Sequence, residues 1–160
     1  MELEGGIPRE GRTLCVVVSL LTGEDSGPRL AALLERYRLA NRDAGSELRL
    51  GILADLPDSN TPIGGEGTLW MDSARRAVDA LNKKYGGGFY LFFRTPAFSA
   101  RDERYMGWER KRGALTELVR LLKGRASALE VKAGERGWLR QVKYVITLDS
   151  DTSLNVGTAR

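Results

Sequence analysis

The reading turns on residues 144–153, YVITLDSDTS, where a greasy, β-branched run stops on two aspartates one residue apart. An apolar run of this kind is a strand buried on both faces, the kind that belongs to a parallel sheet. Working outward from it, three similar runs precede it: TLCVVVSLL (13–21), LRLGILADL (48–56) and FYLFF (89–93). Between them the period changes from strand to helix. Leu30, Leu33, Leu34 and Tyr37 recur at helical spacing after Pro28, a residue suited to a first turn. Leu69, Trp70, Ala74, Ala77, Val78 and Leu81 line one face of a second helix, stopped by Gly86, Gly87 and Gly88. Leu115, Leu118, Val119 and Leu122 mark a third, closed by Gly124. Strand and helix alternate throughout, which predicts an α/β fold of three-layer, Rossmann-like type with a mainly parallel sheet, whose ligands sit beyond the carboxyl ends of the strands. Residues 125–141, RASALEVKAGERGWLRQ, form an ambiguous connector in which a stretch of helix is one option.

Composition narrows the chemistry. A chain of 160 residues that is 42% hydrophobic has material for one core. The expected division is a flexible tail over residues 1–11 and a single domain over residues 12–160. There is no histidine, which excludes Ser-His and Cys-His catalysis and His-ligated zinc and leaves carboxylates as the acid/base groups. The single cysteine, Cys15, lies inside an apolar run and reads as a small core residue. No run reaches the ~18 apolar residues of a membrane span, and the first residues lack the apolar segment of a signal peptide. A net charge of +4, from 25 Lys and Arg against 21 Asp and Glu, suits an anionic small molecule as well as a phosphate backbone.

Three strand ends carry acid-rich turns: GEDSG, ADLPDSN and LDSDT. Asp, Ser and Gly also make turns and helix caps, so any one of these loops has a purely structural reading. The Asp-x-Asp of LDSDT reads differently, since two carboxylates at one strand end can share a hard divalent cation, Mg²⁺ or Mn²⁺, whose shell is completed by water and substrate phosphates. Two enzyme classes use that position. The haloacid-dehalogenase phosphatases make the first aspartate a nucleophile, but their pattern wants Thr or Val where this chain has Ser153. The nucleotide-sugar glycosyltransferases of the GT-A type set Asp-x-Asp on the fourth strand of a Rossmann-like half. A third reading is a nucleic-acid-binding module, suggested by Arg101, Arg104, Arg110, Lys111 and Arg112 interleaved with Tyr105 and Trp108. Against it, acids at the strand ends repel a phosphate backbone.

The pairing of YMGWERKRGALTELVRLLKG (105–124) with VKYVITLDSDTSL (142–154) resembles the glycosyltransferase domain of cyclic β-1,2-glucan synthases, closely over residues 89–154 and in layout over residues 12–88. Ser150 stands between the aspartates where the family pattern has alanine. The resemblance implies the nucleotide-binding half of a GT-A domain with strand order 3-2-1-4. It implies that Asp151, with Asp149, holds Mg²⁺ or Mn²⁺ on a UDP diphosphate, Asp149 also facing the ribose or uracil. Asp55 and Asp58 match acids that read uracil, Ser19 and Thr22 border the same pocket, and Lys111 and Arg112 border the diphosphate. Trp108 either stacks on a ring or fills core, and core is the expectation.

The activity implied is transfer of glucose from UDP-glucose to a β-1,2-glucan acceptor with inversion, on the cytoplasmic face of a bacterial inner membrane. The catalytic base, the acceptor site and the membrane helices are expected beyond Arg160, so this stretch alone is expected to be inactive and to meet the membrane only through those parts. Nucleic acid is not an expected partner. The apolar fourth strand, an edge once the later elements of such a domain are taken away, is expected to promote self-association.

Overall fold

The computed structural model describes residues 5–150. In chain order the elements are β1 (Thr13–Leu20), α1 (Ser26–Ala40), β2 (Leu48–Asp55), α2 (Gly65–Tyr85), β3 (Phe89–Arg94), a hairpin of β4 (Ala97–Ser99) and β5 (Arg104–Met106), α3 (Arg110–Leu122), β6 (Leu129–Ala133), α4 (Arg136–Leu139) and β7 (Tyr144–Asp149). One five-stranded sheet has the order β6-β3-β2-β1-β7, and all its pairings are parallel except β3 with β6. The four strands legible in the sequence therefore stand in the order 3-2-1-4, as the resemblance implied.

The middle strands are apolar throughout because both faces of the sheet are covered. On one face Cys15, Val17, Ile52 and Leu91 pack with α1 and α2; on the other Leu14, Val16, Tyr90 and Phe92 pack with α3 and α4. Each such side chain, removed from water, contributes roughly 1.5–3 kcal/mol. Cys15 belongs to this core, and burial pushes its thiol up to about 12, which takes thiolate chemistry off the table. Nearer the N-terminus Ile7 packs against the same core and its amide donates to the Ala44 carbonyl at 3.0 Å.

The connector over residues 125–141 is corrected: it contains a strand as well as a helical turn. In β6 only Leu129 and Ala133 are buried while Glu130 is exposed, so a short edge strand carries too few apolar residues to declare its period. The hairpin after β3 was likewise not legible. Its strand β5 bonds Ser59 in the loop after β2, with Ser59 N donating to Tyr105 O at 2.9 Å and Tyr105 N to Ser59 O at 2.8 Å. The loops above β2 and β3 are thus tied to one another at the carboxyl edge of the sheet. Among the described residues, no helix is long and apolar enough to cross a membrane.

Candidate functional site

A cleft of about 510 Å³ opens at the carboxyl ends of β1, β2 and β7, beside the start of α3. It brings together Ser19, Thr22, Asp55, Asp58, Lys111 and Asp149, which the sequence offers from four separate segments. The parallel order accounts for this, because β1, β2 and β7 all release their following loops on the same edge.

Each carboxylate in the cleft has a cation. Asp55 is buried and accepts two parallel bonds from the buried guanidinium of Arg94, Nε to Oδ1 and Nη2 to Oδ2, both 2.7 Å. Asp58 accepts from Arg110 Nη2 at 2.9 Å. Asp149 accepts from Lys111 Nζ at 2.5 Å. Exposure separates these pairs: the Lys111 and Asp149 side chains are 45% and 59% exposed, whereas Arg94 and Asp55 are 1% and 10% exposed. An ion pair open to water contributes about 0–1 kcal/mol and exchanges readily for a ligand. A buried, two-pronged pair is a fixture, since opening it leaves charge in a dry site.

The turn that delivers Lys111 is unusual. Glu109 and Arg110 both have φ of 47°, a left-handed backbone that non-glycine residues seldom adopt, and α3 begins directly from it. Arg94 braces this turn, donating from Nη1 to the Trp108 carbonyl at 3.0 Å and from Nη2 to the Arg110 carbonyl at 2.9 Å. On the opposite wall the Thr22 amide donates to Ser26 Oγ at 3.0 Å, while Ser19 Oγ donates to the Leu20 carbonyl at 3.3 Å.

Arg112 is not brought to the cleft. It lies on the outer side of α3, 86% exposed beside Glu109, in a shallow groove with Leu115, Val119 and Lys123. Trp108 is a correction: it is 41% exposed rather than core, because it belongs to the turn before α3 and it is its carbonyl, not its ring, that the interior engages. Asp151 lies outside the described residues. Among the described residues no cluster of three metal-ligating side chains forms. Asp149, more than half exposed at the mouth of the cleft, is a hard oxygen donor of the kind Mg²⁺ or Mn²⁺ takes when few protein carboxylates bind it and water and phosphate complete its shell. Sequence reasoning did not find Arg94. Its signal was a charged residue closing the otherwise apolar strand FYLFFR.

No family model matches the chain. Over 157 residues, 96% of its length, the chain is 35% identical to the cyclic beta-(1,2)-glucan synthase NdvB of Rhizobium meliloti (strain 1021), and the match covers 5% of that protein. The chain is thus homologous to a small part of a cyclic β-1,2-glucan synthase.

Proposed function

From that kinship as premise, we propose that this domain is the nucleotide-sugar-binding half of a GT-A glucosyltransferase, taking UDP-glucose with Mg²⁺ or Mn²⁺ for the synthesis of β-1,2-glucan. The observation that carries the reading is the cleft itself, which gathers the strand-end acids and the Lys111 ammonium at the carboxyl edge of a parallel sheet. Asp149 and Asp151 would hold the divalent cation, which when bound supplies positive charge against the departing diphosphate. Lys111 trades its exposed partner Asp149 for a phosphate oxygen, gaining a charge-assisted bond to a dianionic group. Asp58, Ser19 and Thr22 line the wall on which ribose and uracil find hydrogen-bonding partners.

With the catalytic base and acceptor site contributed from elsewhere in a parent enzyme at the cytoplasmic face of the inner membrane, this stretch binds donor without turning it over. Calorimetric titration of UDP tests the reading. Binding is expected with Mn²⁺ and not with EDTA, and Asp151→Ala is expected to remove the metal dependence. Equal heats with Mn²⁺ and with EDTA overturn it.

A further inference from the structure

Arg94 is nearly inaccessible and does not line the cleft, yet it joins two of the elements that do, the end of β2 and the turn that opens α3. Its guanidinium has five N–H donors in a fixed plane. Two pairs of contacts use them: the fork onto Asp55 at the end of β2, and the carbonyls of Trp108 and Arg110 in the turn before α3. Two glycines make room for it. A Cβ on Gly107 would collide with Arg94 Nη2, and one on Gly113 would lie 2.7 Å from Nη1 and collide with the Trp108 carbonyl. The turn so held contains the two left-handed residues Glu109 and Arg110, a conformation that persists only where its surroundings over-determine it. Arg110 and Lys111, the cations opposite Asp58 and Asp149, stand at the end of that turn.

We propose that Arg94 is the positioning residue of this cleft: it locks the strained turn at residues 107–110 onto the end of β2, and thereby sets Arg110 against Asp58 and Lys111 at the phosphate side. Asp55 then serves chiefly to orient Arg94, since both its oxygens are engaged by the guanidinium. Recognition of the nucleoside falls to Asp58, Ser19 and Thr22. The proposal rests on the functional reading above only for the identity of the ligand.

Arg94→Lys keeps the charge but loses the fork, so the new side chain can satisfy Asp55 or the turn and not both. Gly107→Ala leaves Arg94 in place and drives a methyl against its Nη2. In both variants two readouts are taken: amide hydrogen exchange by mass spectrometry, and calorimetric affinity for UDP with Mn²⁺. Exchange is expected to quicken at least tenfold at Arg110 and Gly113, whose amides bond the carbonyls of Gly107 and Glu109, while the β1 and β2 amides keep their protection. UDP affinity is expected to fall about tenfold or more in molecules whose melting curve remains cooperative.

Where Arg94→Lys fails to fold, Gly107→Ala alone decides. Wild-type exchange at Arg110 and Gly113 in a folded variant overturns the proposal, as does a loss of protection spread evenly over the sheet. A wild-type chain that binds no UDP refutes the functional reading and leaves the exchange experiment to judge Arg94.

Discussion

Lys111 and Arg112 are neighbours with opposite fates. One reaches into the cleft toward Asp149, the other points to solvent beside Glu109. Consecutive residues on a helix do not share a face, so which of them meets a ligand depends on the phase set at the first turn. That phase is fixed by the left-handed backbone of Glu109 and Arg110 where α3 starts, which no hydrophobic period announces. The strand-end acids were legible because their position follows from the order of elements; their partners were not, because Asp55 meets Arg94 and Asp149 meets Lys111 across long stretches of chain. Lys111→Met is expected to weaken UDP binding in Mn²⁺ about tenfold, the scale of one hydrogen bond to a charged group. Because the native pair with Asp149 is open to water, the same change is expected to shift folding stability by less than about 1 kcal/mol. Calorimetry for binding and urea titration for stability check the two halves separately, and Arg112→Met in parallel is expected to leave affinity near wild type.

At the scale of elements, the join between α3 and β6 depends on one buried acid. Glu117 is 3% exposed and accepts from the Ala128 amide at 2.7 Å, from Ser127 Oγ at 3.0 Å and from Arg120 Nη1 at 2.9 Å. Burial works to raise its carboxyl, but the Ala128 amide, Ser127 and Arg120 together outweigh it and hold it below the ordinary value. A carboxyl depressed on folding stabilises the protein fully above its unfolded pKa of about 4.3, and that contribution fades as pH falls through the folded value. Glu117→Gln is therefore expected to be less stable than wild type by about 1–2 kcal/mol at pH 7, the scale of hydrogen bonds to a charged acceptor. The gap is expected to narrow below pH ~4 in urea titrations. A constant gap from pH 7 to 3 counts against this. Strand β6 escaped the sequence because its support is polar: Ser127 and Ala128 enter it through Glu117, and its own apolar content is Leu129, Val131 and Ala133. Runs such as β1 and β3 were legible because hydrophobic burial dominates them and writes itself into composition.

For the whole molecule the two sheet edges differ. On β6 the side chains of Lys132 and Glu130 pair beside a short antiparallel strand, the charged kind of edge that discourages addition. On β7 the exposed residues include Tyr144 and Val145, and among the described strands it pairs with β1 alone. We expect the chain to self-associate through this edge at micromolar concentration, read by size-exclusion chromatography with light scattering. Val145→Lys is expected to return it to a monomeric mass, and a wild-type monomer at every concentration refutes this. The register of that same edge carries a consequence in time. Tyr144 stands opposite Thr13, so two strands that lie side by side in the finished sheet leave the ribosome far apart. Contacts closed over so long a loop form late. A nascent chain can assemble β1, β2, β3 and β6 around their core, with Asp55, Asp58 and Lys111 already synthesised, before Asp149 has emerged, so the acid that faces Lys111 is the last part of the cleft to be born.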